Sequence, residues 1–410
     1  MPQLFTVLTP QQAWSKLEPY LSPLERIDTV ATSEGLGRVL VEDISSPVDV
    51  PHFPRSAMDG YAVRAVDTHG ASEGLPSYLK LVGEITMGRP ATVALSAGEA
   101  VLIHTGGMLP PGADAVVMLE NTRDIDGSGI EVVRAAARGE NVIQVGEDML
   151  QGEPLLSRGS VLRPQDIGGL LSVGLTKVYV YGRVKVALIP TGDELVSPEE
   201  DPGMGQIRNT NAYALSAMAF QSGAVPIRMG IVRDNYDALK QAVQAAVEMA
   251  DVVVVSAGSS VSARDMTADV VNSLGEPGVL VHGVALRPGK PTIIAFVGGK
   301  PVFGLPGNPA SAMITFQLFV VPAIERLGGR SREAGRLELK ARATRNIPST
   351  PGREDFIPVR LEERDGELYA EPVFGKSNMM FALMRGDGVA VVPLQKAGIA
   401  VGETLTVRLF

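Results

Sequence analysis

The sequence predicts a mixed α/β multidomain protein. A central, mostly parallel α/β sandwich domain stands between a β-rich N-terminal half and a small C-terminal β-barrel, or a sandwich of the same short strands. Three observations carry this. Strand and helix signals alternate from 184 to 327, the order that parallel strands with covering helices require. Asp251 is followed by four consecutive valines, Val252 to Val255, the continuous apolar run of a strand buried on both faces. On either side, 39–145 and 331–410 consist of short alternating runs broken by Gly and Pro, as strands joined by tight turns would be.

The elements follow in order. Thr9-Pro10-Gln11-Gln12 reads as a helix start, with Thr9 as cap, Pro10 at the first helical position and Gln12 closing a capping box. That helix should run to about Leu21. Asp126-Gly127 and Asp365-Gly366 are hairpin-turn signals within the two β-rich regions. Between Gln151 and Val173 a loop and a short helix lead into the α/β domain. There the pattern predicts strands at Val184–Ile189, Ile227–Val232, near Val279–Val284, at Thr292–Val297 and at Pro301–Gly304. Helices are expected over Asn211–Gln221, Tyr236–Met249 and Ser311–Leu327. The domains expected are 1–28 with 149–183 (N-terminal helix plus linker and helical segment), 29–148 (β-rich), 184–328 (α/β) and 331–410 (barrel).

Composition narrows the function. The 410 residues suffice for roughly two to four domains with real cores. With 46 acidic and 37 basic residues the net charge is −9, and no run of Lys or Arg stands out. Nucleic acid and anionic membrane surfaces are therefore not expected partners. The absence of cysteine excludes disulfides, thiolate metal sites and cysteine nucleophiles. The N-terminus does not read as a signal peptide, and no stretch reads as long enough to span a bilayer, so a cytoplasmic location is expected. The four histidines, His52, His69, His104 and His282, show no metal-ligand spacing and read as surface or hydrogen-bonding residues.

Five loops at predicted strand ends are unusual. They are Pro190 to Glu194, Arg233-Asp234, the turn Ser256 to Ser260 with Asp265 beyond it, Arg287 to Pro291, and Leu305 to Pro309. In α/β sheets ligands sit outside the carboxyl ends of the strands. Gly258, Ser259 and Ser260 let the backbone turn tightly and offer N–H groups, and Arg287 and Lys290 add cations. Together they form a cradle for phosphate or another oxyanion. Asp193, Glu194, Asp234 and Asp265 would crowd the same rim. Carboxylates tolerate phosphates when a hard cation such as Mg²⁺ lies between them.

Seven motifs then carry a resemblance. PRSAMDGYAV (54–63), TGGMLPPGADAVVMLENT (105–122), GEDM (146–149), PTGDEL (190–195), IRNTNAYAL (207–215), RPGKP (287–291) and GLPGNPASA (304–312) stand in the order found in the molybdopterin molybdenumtransferase family (MoeA and the C-terminal domain of gephyrin). The chain resembles that family over nearly its whole length. The resemblance implies a molybdopterin-binding type of α/β domain in an elongated four-domain homodimer. It also implies Mg²⁺-assisted insertion of molybdate into adenylylated molybdopterin with release of AMP. A molybdopterin adenylyltransferase would act upstream. The implied site lies between the α/β domain of one subunit and the N-terminal half of the other. Matched by motif position, Asp59, Asp148, Glu194, Asp234 and Asp265 would be catalytic, with Glu194, Asp234 and Asp265 at the metal. Thr105, Gly258, Ser259, Ser260, Arg287, Lys290, Pro306, Asn308 and Pro309 would bind substrate. Two departures are plain. Ala257-Gly258-Ser259-Ser260-Val261-Ser262 replaces a Gly-Gly-Val-Ser-Val-Gly turn, and Arg287 stands where a lysine is frequent. Arg offers a planar fork where Lys is a point charge, so tungstate becomes a possible second oxyanion. A non-catalytic binder of pterin or nucleotide is the alternative reading.

Overall fold

Residues 7–257, 261–331, 338–375, 378 and 380–410 are described by a computed structural model of the chain, with the backbone alone over 261–264. The chain divides into two units: Asp43–Ser157 with Gln165–Thr176, and a larger one made of the remaining segments.

The smaller unit is built on a six-stranded sheet in the order Ala115–Met118, Gly60–Val63, Glu99–Ile103, Ser77–Glu84, Gly129–Val132, Thr122–Ile125. Only the pairing of Ser77–Glu84 with Glu99–Ile103 is parallel. Alternation along the strands covers both faces. Val63, Ala100 and Val117 face one apolar cluster, while their neighbours Ala62, Val101 and Val116 face another. Asp126 and Gly127 both have positive φ, 50° and 70°, in the turn between the last two strands.

In the larger unit a second six-stranded sheet runs Val225–Arg228, Lys185–Pro190, Val252–Ala257, Lys300–Pro306, Ile293–Val297, Gly278–His282. The first four are parallel and the last two strands reverse in turn. All four valines are 0% exposed. Val252 and Val254 belong to the core on one face, Val253 and Val255 to the core on the other, which is why no polar residue interrupts the run. Helices Asn211–Gln221 and Tyr236–Met249 have the expected bounds. The strand expected at Ile227–Val232 lies instead at Val225–Arg228. It starts soon after the left-handed Gly223 and pairs on one side only, an edge position where Pro226 costs no ladder bond.

The N-terminal helix Pro10–Leu17 has its capping box, Gln12 N–H to Thr9 Oγ1 at 3.2 Å and Thr9 N–H to Gln12 Oε1 at 3.0 Å. Ala13 and Leu17 pack into the α/β core, whereas Ile27–Ala31 pairs with Lys177–Tyr181. The helix Pro309–Leu327 corrects the expectation that nothing is long and apolar enough to cross a membrane, since it passes by length and composition. Its apolar window is 61% buried, with Phe316, Phe319 and Val320 in the core, as a core helix requires.

At the C-terminus Glu354–Arg364, Glu367–Pro372, Glu338–Ala343, Thr404–Leu409 and Gly388–Val392 pair in a ring that closes on Glu354–Arg364. A closed ring of five strands has no free edges, and it settles the choice in favour of a barrel. Leu286–Arg287 of the α/β domain adds in parallel to Glu354–Asp355 of the barrel.

Candidate functional site

Register decides which loops meet. Val186–Pro190 runs alongside Val252–Ser256, and Val253–Ala257 alongside Val302–Pro306, so the segments following these strands leave on one edge. Ile293 lies opposite both Gly304 and His282, which brings the connection containing 287–291 to the same edge. The loops singled out in the sequence thus share one rim, although Gly258, Ser259 and Ser260 lie outside the described residues. Asn211 joins the middle of it. Its Nδ2 donates to Gly307 O at 2.7 Å and to Ser256 Oγ at 3.3 Å. Asn211 stood within a quoted motif without being picked as a site residue, because nothing local in the sequence announces those two partners.

The acids gather at one end of the rim. Thr191 N–H donates to Ser256 O and Gly192 N–H to Val232 O, which sets 191–195 beside 232–234. Arg233 Nη1 donates to Asp193 O at 3.2 Å and stands 3.7 Å from Asp193 Oδ1, while Asp234 N–H reaches Asp193 Oδ1 at 3.4 Å. The Asp234 carboxyl is raised above the ordinary carboxylate value, first by partial burial and then by the Asp193 and Glu194 carboxylates. Its anion is disfavoured where it stands, and a nearby cation would relieve it. Asp265 is exposed on helix Val261–Ser273. Among the described residues no three acids are arranged to hold a metal by themselves, so Glu194, Asp234 and Asp265 do not form a closed cage.

The cations gather farther along the rim, at the start of Ile293–Val297, three strand spacings or about 14 Å from Lys185–Pro190. There 287–291 and 306–311 face the barrel across a cleft of about 890 Å³. Arg287, Lys290, Asn308, Ser311 and Arg353 line it, with the exposed ring of Phe374 on the barrel side. Asp355 is 0% exposed and accepts from Arg353 Nε at 2.8 Å, with Arg287 Nη1 at 3.9 Å. One buried carboxylate thereby orients two guanidiniums, and with Lys290 the cleft keeps net positive charge. Gly289, at φ 121°, could not carry a side chain, because a Cβ there would lie 2.5 Å from Leu286 Cδ1 and from Thr315 Cγ2. That packing fixes the loop that bears Arg287 and Lys290. Pro306 ends its strand buried, Asn308 caps the next helix and Pro309 takes its first turn. Arg353, Asp355 and Phe374 were not foreseen, since their place follows from the long-range pairing of Arg287 with Asp355.

In the smaller unit Asp59 and Thr105 are brought together. Asp59 Oδ1 accepts from Thr105 N–H at 2.7 Å and from Thr105 Oγ1 at 3.1 Å. The backbone donor first, then the hydroxyl, hold the Asp59 carboxyl below the ordinary value, with His104 a smaller contributor. Asp148 is exposed on a separate turn whose N–H donates to Val50 O.

A strand-end rim with an acid cluster at one end and a cationic cleft at the other defines a multidomain α/β protein with a candidate ligand site outside the carboxyl ends of its strands. Similar proteins identify the family. The family model for the MoeA N-terminal region (domain I and II) matches residues 8–174, that described as "Probable molybdopterin binding domain" matches 187–326, and that for the MoeA C-terminal region (domain IV) matches 340–410. The molybdopterin molybdenumtransferase of Nostoc sp. is 35% identical over 396 residues, 95% of this chain and 90% of that one. The enzyme of the same name from Haemophilus influenzae is 32% identical over 406 residues, 98% and 99% of the two chains. A crystal structure of a molybdopterin biosynthesis MoeA protein from Pyrococcus horikoshii superposes with TM-score 0.86 at 31% identity, covering 99% of this chain and all of that one. The chain belongs to the molybdopterin molybdenumtransferase (MoeA) family, a family of metal-inserting transferases of molybdenum cofactor biosynthesis.

Proposed function

We propose that this chain inserts molybdate into adenylylated molybdopterin in a Mg²⁺-dependent reaction that releases AMP. The observation that carries the reading is the division of the rim, with acids at Asp193, Glu194 and Asp234 and cations at Arg287, Lys290 and Arg353. A plain anion binder has no use for the acids. An extended substrate with phosphates at one end and an incoming oxyanion at the other uses both. The hard oxygen donors suit Mg²⁺, which is commonly held by one or two carboxylates plus substrate phosphates, so the lack of an all-protein cage among the described residues fits. Asp234 and Glu194 would hold it, with Asp265 beside them. Bound there, Mg²⁺ supplies neutralisation of phosphate charge. Lys290 and the guanidiniums oriented by Asp355 hold the oxyanion, and the loop packed at Gly289 keeps them in place.

In this reading the chain works as a homodimer, with Asp59 and Thr105 completing the rim of the partner subunit, and takes its substrate from a molybdopterin adenylyltransferase. Arg287, more than half exposed, offers its fork to tungstate as well as molybdate. The test is turnover. Purified protein with adenylylated molybdopterin, Mg²⁺ and molybdate should release AMP, and tungstate should compete. Tight pterin binding without AMP release would make the protein a carrier instead.

A further inference from the structure

His104 follows directly on the strand Glu99–Ile103, and its ring stands between two carboxylates from separate elements. Nε2 lies 3.0 Å from Glu84 Oε1, at the end of Ser77–Glu84, and Nδ1 lies 3.8 Å from Asp59 Oδ1, in the turn before Gly60–Val63. The next residue, Thr105, gives Asp59 Oδ1 both its hydrogen bonds. Thr105 therefore grips one oxygen of Asp59, and the His104 ring stands within ion-pair range of the same oxygen. We propose that His104, steadied by Glu84, is a positioning residue for Asp59; this rests on the reading that Asp59 belongs to the transfer site.

The ring's chemistry gives this role a signature. Neutral imidazole donates one N–H, and the shorter distance gives that donor to Glu84. Imidazolium donates from both nitrogens and places a positive charge beside Asp59 as well. The ionisable groups facing the ring are Asp59 and Glu84, while Thr105 contributes only an amide and a hydroxyl. Removing the imidazole therefore loosens the hold on Asp59 without breaking the Thr105 bonds. Activity should fall in part, and the protein should stay folded.

The experiment measures AMP release by the full-length protein and extracts kcat and KM separately. His104→Gln should lower kcat roughly tenfold, the scale of losing an orienting partner, with KM unchanged. Glu84→Gln should show the same change more weakly. His104→Arg places a cation beside Asp59, so it should restore kcat. Asp59→Asn with His104→Gln should be no worse than Asp59→Asn alone, because both act through one carboxylate. If His104→Gln keeps the wild-type kcat while Asp59→Asn fails, His104 has no such role and the reading of Asp59 stands. If Asp59→Asn turns over normally, both are overturned.

Discussion

At Asp59 the carboxylate receives two hydrogen bonds from Thr105 and a flanking imidazole, and it is held in its charged form. At Asp234 partial burial and the neighbouring Asp193 and Glu194 carboxylates disfavour the charged form. Both residues are exposed aspartates in loops at the ends of sheets. The difference is one of completeness. Asp59 is already satisfied by its own unit, so it suits holding a ligand group by an oxygen. Asp234 has its charged form disfavoured, which is where the proposed Mg²⁺ would stabilise it. The two β-sheets thus present the same functional group for two uses.

Substitution should pull the two apart. The largest effect is expected from Asp234→Asn, which removes a charge that a cation needs. AMP release should fall by about a hundredfold, the upper range for losing a group around a metal. Asp59→Asn keeps the shape and one acceptor oxygen but weakens the grip of Thr105, so the loss should be smaller, on the order of tenfold. Equal losses would break the contrast and leave the two acids alike.

A third substitution sharpens the contrast by testing the scaffold rather than the charges. Asn211→Ala removes the donor shared by Gly307 O and Ser256 Oγ. Denaturant unfolding should show about 1–2 kcal/mol lost, as expected when a partly buried carbonyl loses its partner. No loss of stability would mean that the rim is held by strand pairing alone.

The smallest effect is in stability against pH, and its sign is opposite at the two aspartates. Asp234 has a raised folded value, so its contribution to stability is full below the ordinary carboxylate range and is lost as pH rises through that raised value. At neutral pH Asp234→Asn should therefore raise the melting temperature by about a degree, solvent screening keeping the gain small, and the gain should vanish in acid. Asp59 has a lowered value, so its contribution is present above the ordinary range and lost as pH falls through the lowered value. Asp59→Asn should lower the melting temperature at neutral pH and cease to matter in acid. Melts of both variants across the acid range check the two signs.

Much of this was legible in the chain. The valine run, the capping box at Thr9 and the helices Asn211–Gln221 and Tyr236–Met249 are local signals, and local signals survive folding. The rim was legible because a parallel α/β order sends successive strand ends to one edge. What was not legible depends on pairing between distant segments. Arg353 and Asp355 reach the cleft because Leu286–Arg287 pairs with Glu354–Asp355 across some seventy residues, for which no periodicity gives notice. His104 read as an ordinary surface or hydrogen-bonding histidine, since its two acid partners come from Glu84 and Asp59, on other elements. The edge strand ends at Arg228 rather than Val232 because regular pairing lapses between Met229 and Val232, although the Met229 and Val232 N–H groups still donate to Leu188 O and Pro190 O.

We propose that Mg²⁺ held at Asp234 completes the α/β rim, whereas the Asp59 site is complete without it. The measurement that reaches it most directly is a Mg²⁺ titration of AMP release by the wild type, Asp234→Asn and Asp59→Asn under identical conditions. The account predicts that Asp234→Asn needs a Mg²⁺ concentration higher by about an order of magnitude or more, while Asp59→Asn reaches half its own maximum at the wild-type concentration. A wild-type Mg²⁺ requirement in Asp234→Asn, or a raised one in Asp59→Asn alone, would contradict it.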